Sequence, residues 1–165
     1  MKINNEATKQ LLTKGLLKIL NNKMISEVTV TELCNVSQVS RRTFYRYYNN
    51  TMELLDEMVS ELLTQYKEKL EETKNDNQNI ESQFYNFWYE QKDFVKVLII
   101  NDQMQKIYIP SLTILLAIKS STSKDDLNDI NVVYNHGGMW SVLMYSINNN
   151  IEIDNETFDR IINKI

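Results

Sequence analysis

Between Ser40 and Tyr48 the chain reads Ser-Arg-Arg-Thr-Phe-Tyr-Arg-Tyr-Tyr, which sets three guanidiniums and five hydroxyls in nine residues with no acid among them. A guanidinium is a planar fork of donors. It matches the O6 and N7 of guanine, a contact worth about 1–3 kcal/mol of base discrimination. Hydroxyls suit phosphate oxygens, which position a protein on a duplex without reading its sequence. The chemistry implied is therefore recognition of nucleic acid, not the making or breaking of bonds. Arg41, Arg42 and Arg46, with Thr43, are the base-reading candidates. Thr29, Thr31, Ser40, Tyr45, Tyr47 and Thr51 are the candidates for phosphate contact.

Little else in the chain offers chemistry. His136 and Cys34 are its single histidine and single cysteine, so multi-His and Cys-rich zinc sites cannot form. One cysteine also makes no internal disulfide, in keeping with a reducing cytoplasm. No P-loop, no G-x-S-x-G and no Gly-rich dinucleotide turn is present. No catalytic residue, metal or cofactor is expected. His136 reads as an ordinary helix residue, Cys34 as the filler of a small core site, and Asp125-Asp126 as charge at a helix N-terminus.

The basic stretch must be held by local structure. Thr29 is placed to cap a short helix through Asn35, and Glu32 completes an S/T-x-x-E box. Ser37-Gln38-Val39 makes a turn, and Ser40 caps a second helix running to Tyr48. Phe44 and Tyr48 lie four apart, share a face and should pack on Leu33, Val36 and Val39. Asn49-Asn50 ends that helix, and Asn50 or Thr51 caps the next. Two short helices around a tight turn, the second rich in Arg and Tyr, form a helix-turn-helix.

At these residues the sequence resembles the TetR family of bacterial transcriptional regulators. The resemblance is carried by Thr29, Leu33-Cys34, Gln38-Val39-Ser40, Thr43-Phe44-Tyr45, Tyr48 and Leu54-Leu55, and it spans about residues 7 to 60. Two positions depart from the family pattern. Gln38 stands where the family has Gly, so a positive φ there would carry strain. Thr51 stands where a Lys commonly meets a phosphate. A second resemblance, to a Firmicutes-type branch, rests on the Gly137-Gly138 element with Trp140 and on a short last helix. It implies that the last two helices pair with those of a second subunit, with Trp140, Leu143, Ile147, Phe158 and Ile161 as interface candidates; the alternative is that these residues close the core of the single chain.

The remaining residues read as helices, since the chain has only three Gly and one Pro. A first helix covers about Asn5–Asn21, where Gly15 suggests a close helix crossing. Others cover Thr51–Glu72, residues 80–100 with a break near Gln91–Asp93, a helix opened by Pro110, Asp125–Asn148, and Asn155 to the end. Asn75–Asn79 and Ser120–Lys124 read as connections. The adjacent glycines 137 and 138 cost about 2 kcal/mol in a helix interior and should be offset by close backbone contact. The expected fold is all-α. A three-helix helix-turn-helix head over residues 1–50 precedes a helical bundle for ligand binding and dimerisation over residues 51–165. Phe84, Trp88, Tyr89, Met104, Tyr108 and Trp140 are the candidates for a pocket that would take a small-molecule inducer, and ordinary core packing is the alternative reading of the same residues.

The net charge of −4 conceals an asymmetry. Residues 1–50 hold eight Lys or Arg against three acids, a net of +5, and residues 51–165 hold ten against nineteen, a net of −9. A basic head on an acidic body suits a protein that offers one end to DNA. No run of 18 apolar residues and no apolar leader occurs, so a cytoplasmic protein without a membrane partner is expected. Taken together, these readings point to a homodimeric regulator, most naturally a repressor, on a near-palindromic site in double-stranded DNA. The alternative is a helical co-activator or adaptor of the same fold that works through a protein partner.

Overall fold

In the computed structural model, which describes residues 5–75, 79–120 and 126–162, every regular element is helical. Among those residues there are nine α-helices and no strand: α1 Asn5–Leu20, α2 Val30–Ser37, α3 Arg41–Phe44, α4 Thr51–Asn75, α5 Ile80–Glu90, α6 Lys92–Ile100, α7 Gln105–Ser120, α8 Asp126–Asn149 and α9 Asn155–Ile162. A 3-10 turn, Ile25–Glu27, joins α1 to α2. No described helix is long and apolar enough to cross a membrane.

Side-chain caps fix most of the helix starts. Thr29 Oγ1 accepts from Glu32 N, and Ser40 Oγ accepts from Thr43 N. Asn50 Oδ1 accepts from Glu53 N while the Glu53 carboxylate accepts from Asn49 N, which settles the start of α4 on Asn50. Asn79 and Asp154 do the same for α5 and α9. Each cap satisfies an orphan N–H of a first turn and is worth about 1 kcal/mol.

Three helix ends use a residue at positive φ: Gln38 at 55°, Asp102 at 55° and Asn150 at 53°. After each, an N–H reaches back five residues, from Val39 to Cys34 O, Gln103 to Leu98 O and Ile151 to Ser146 O. That pattern is the Schellman closure, usually built on Gly. Asn and Asp enter this region with some ease. Gln38 does not, and it bears the strain that its departure from Gly implied, about 1–2 kcal/mol.

The chain divides into two compact units. One comprises Met1–Leu62 with Val97–Met104, the other Leu63–Lys96 with Gln105–Ile165. In the first, α1 packs on α2 and α2 on α3. Gly15 makes the α1–α2 crossing possible: a Cβ there would lie 2.9 Å from Ser37 Cβ and 3.3 Å from Ser37 Cα. The core of this unit gathers Leu12, Leu16, Leu33, Phe44 and Leu55, all fully buried. Val36, expected in that core, is 41% exposed. In the second unit α5 packs on α8 and α9, and α7 on α8.

Three further expectations are corrected. The second helix of the motif is regular only to Phe44. Beyond it, Arg46 and Tyr47 bond three residues back and tighten the turn, before Tyr48 N returns to Phe44 O. Helix α7 starts at Gln105, so Pro110 sits inside it, past the first turn, where its missing N–H forfeits one backbone bond. The glycine pair of α8 meets no close backbone among the described residues. Cβ atoms at 137 and 138 would find only Tyr108 Oη at 3.6 Å and Ile162 Cδ1 at 3.9 Å. The connection expected at 121–124, the residues 76–78 and Asp125 lie outside the described residues.

Candidate nucleic-acid interface and effector cluster

The Ser40 cap orients the first turn of α3, and with it Arg41 and Arg42, both exposed. Thr43 is half-buried, its Oγ1 2.8 Å from Ser40 Oγ. Phe44 and Tyr48 anchor the underside, with ring centroids 5.7 Å apart. The exposed side carries two stacked pairs: the Arg41 guanidinium 6.0 Å from the Tyr45 ring centroid and that of Arg46 5.6 Å from the Tyr47 ring. Such stacking steers the cations without consuming their N–H donors. Tyr45 is 51% exposed. Tyr47 donates its hydroxyl to Asn5 Oδ1 at 2.7 Å, so this group is already engaged within the chain.

On the neighbouring helix Thr29 and Thr31 are exposed. Glu32, the acid nearest to them in sequence, is held by the Lys23 ammonium at 2.8 Å, which keeps its carboxyl below the usual range. Thr51 is a different case. It is 7% exposed and its hydroxyl points to Val28 O at 3.5 Å, so it is turned inward. Cys34 is buried, and burial pushes its thiol pKa up, as suits an inert core residue.

In the second unit, four of the six pocket candidates meet. Phe84, Trp88, Tyr108 and Trp140 form one aromatic cluster, with Phe84 edge-on to Trp140 at 5.2 Å and Trp88 5.0 Å from Trp140. Tyr66 joins it, 5.2 Å from Trp88. Tyr89 lies apart. It stacks on Tyr85 and carries the Lys92 ammonium 4.5 Å from its ring, along an open groove of about 520 Å³. Met104 belongs to the segment packed in the first unit.

His136 is the polar centre of this cluster and is fully buried. Its Nε2 accepts the Trp140 indole proton at 3.0 Å and lies 2.9 Å from Ser111 Oγ. An accepting Nε2 places the ring proton on Nδ1, and that N–H has no partner. Burial pushes the His136 pKa down to about 4, so the ring is neutral at pH 7. Tyr66 Oη and Trp88 Nε1 face each other without reaching hydrogen-bond geometry, and both are buried. Three under-satisfied polar atoms in one apolar cluster cost about 1–3 kcal/mol each unless something fills their needs. Sequence reasoning missed Tyr66, Ser111 and His136 here, because a polar atom's lack of a partner leaves no trace in composition or periodicity.

The residues named as dimer-interface candidates lie mostly in the core of the second unit. Trp140, Leu143, Ile147 and Phe158 are all at most 1% exposed and build the core of their own unit, and Ile161 is half-buried. The exposed face of α8 is instead Ile130, Val133, Tyr134 and Tyr145, at 47–63% exposure, in line with Gly137 and Ser141. Spacings of three, four and seven residues make this a continuous stripe.

No protein-family model matches the chain, and no curated protein matches it by sequence. Solved structures do match it. A fatty acid degradation regulator, FadR, from Bacillus halodurans aligns with a TM-score of 0.71 at 12% identity over 94% of this chain and 93% of that one. The dihydroxyacetone kinase operon activator DhaS gives 0.66 at 17% identity over 95% and 93%. A Clostridium perfringens protein named as a fatty acid metabolism regulator gives 0.64 at 16% over 93% of each. At these identities the likeness is one of fold: the chain has, almost end to end, the all-helical fold of these regulators.

Proposed function

We propose that this chain is a homodimeric, sequence-specific DNA-binding regulator of the TetR type, acting as a repressor. The observation that carries the reading is the surface of α3 and of the turn that follows it. Arg41 and Arg42 on the capped, aromatic-anchored helix and Arg46 just after it are all presented to solvent. Solved structures with this fold are named as regulators and an operon activator, which supports the regulator part of the reading but not repression over activation. Arg41, Arg42 and Arg46 read bases, with Thr43 beside them. Thr29, Thr31, Ser40 and Tyr45 hold phosphates, and Tyr47 does so through its ring edge or after releasing Asn5. Thr51 is left out, since its hydroxyl faces Val28 O.

Two copies meet through the α8 stripe and present their α3 helices to successive major grooves. A small effector enters the aromatic cluster of the second unit and releases the DNA. It is an apolar molecule with a hydrogen-bond acceptor for His136 Nδ1–H, and an acyl compound fits that chemistry. The names of two of the structural relatives, which refer to fatty acids, support this choice.

The test is a comparison of specific and non-specific binding. Arg42→Ala should weaken binding to the selected duplex by about 10–100-fold, the worth of one two-pronged guanine contact, and weaken binding to random duplex only a few-fold. Equal losses would make Arg42 a phosphate contact. Unchanged binding of both would remove α3 from the interface and favour the adaptor reading.

A further inference from the structure

The chain leaves the second unit at Lys96 and returns to it at Gln105, and the residues between, Val97–Met104, pack within the first unit. This segment is a strap whose two ends belong to one unit and whose middle belongs to the other. At its centre stands Asn101, 2% exposed. Its Oδ1 accepts from Ile25 N at 2.5 Å, and its Nδ2 donates to Val97 O at 2.8 Å. The two partners differ in kind, so they fix which way the amide faces. Asp102 then turns the chain at φ 55°, Gln103 N bonds back to Leu98 O at 2.8 Å, and Gln103 Nε2 donates to Asn101 O at 3.2 Å.

The bonded group on the other side matters as much. Ile25 opens the 3-10 turn Ile25–Glu27, and the first N–H of such a turn has no acceptor of its own. Two residues after the turn comes Thr29, the cap of α2. Asn101 therefore holds, by a buried bond between residues 76 apart in sequence, the lead-in to the helix-turn-helix. Any rearrangement of the second unit that moves Lys96 or Gln105 pulls on this bond through the covalent chain alone.

We infer that Asn101 is a positioning residue: the Val97–Met104 strap sets the lead-in to α2 through the Asn101–Ile25 bond, and its displacement lowers DNA affinity. The second half of this statement rests on the DNA-binding reading above. The experiment uses the full chain with Asn101→Ala, and with Gln103→Ala as a control that alters the same turn without touching Ile25. Hydrogen exchange at the Ile25 amide should quicken about tenfold in Asn101→Ala, the worth of one buried hydrogen bond, while the amides of Leu16 and Leu33 stay as they were. Affinity for the selected duplex should fall about fivefold or more with an unchanged salt slope, because no phosphate contact is lost. Gln103→Ala should leave both within about twofold of the wild type. Asn101→Ser, too short to reach Ile25 N and without a buried charge, takes the place of Asn101→Ala if that variant fails to fold, with the same outcomes expected. Unchanged exchange at Ile25, or a uniform rise across the whole unit, would overturn the strap. Faster exchange at Ile25 with unaltered DNA affinity would overturn its coupling to DNA. A wild-type protein that binds no duplex would overturn the proposed function and the coupling with it, while the exchange arm still judges the strap.

Discussion

A fully buried imidazole that bonds through one nitrogen and leaves the other bare has a pH signature of its own. The folded pKa of His136 is about 4, against 6.5 for the free side chain. Below pH 6.5 the unfolded chain takes up a proton that the folded chain refuses. The stability tied to this group is thus complete above pH 6.5 and is lost as pH falls toward 4. Across that window the loss approaches about 3 kcal/mol, since each pKa unit is worth about 1.4 kcal/mol. Urea unfolding of the wild type and of His136→Gln at pH 7.5 and 4.5 checks it. The wild type should lose about 2–3 kcal/mol more than the variant between the two. Equal losses would mean that His136 is hydrated or bonded through Nδ1. At this scale the sequence was partly legible. The caps at Thr29 and Ser40 and the exposed arginines of α3 follow from residue type and spacing. Asn101 does not, because an isolated amide gives no hint of a partner 76 residues away.

Helix α8 shows what periodicity leaves open. Both of its faces are apolar: Trp140, Leu143 and Ile147 on one, Ile130, Val133, Tyr134 and Tyr145 on the other. A spacing of three or four residues groups the positions of each face, but it cannot say which face meets the chain's own core. Trp140, Leu143 and Ile147 went inward, and the opposite stripe was left exposed. The close backbone contact expected of the glycine pair is not made among the described residues. If two copies pair through this stripe, a buried carboxylate at its centre should cost about 2 kcal/mol or more of association. Val133→Asp should then dissociate about 30-fold more readily in sedimentation, with its helical signal intact. A dimer of unaltered strength would move the interface off α8. Gly15 is the contrasting case, where a lone glycine in a helix did mark a crossing, against Ser37.

Over the whole molecule, the basic first fifty residues and the acidic remainder agree with the structural division of labour proposed for them. The charge of +5 against −9 favours approach to a polyanion by one part of the chain and resists it by the other. The all-helical fold was legible throughout, from scarce Gly and Pro and from the caps. Much less legible was the grouping of Val97–Met104 with the first unit, which only long-range contacts reveal. The central claim is that two such chains read one DNA site together. Selection of bound sequences from random duplex DNA, at physiological salt, tests it most directly. The account predicts recovery of a near-palindrome whose half-sites lie about 34–36 Å apart, one helical turn of DNA. Recovery of no common sequence by a folded, dimeric protein would contradict it.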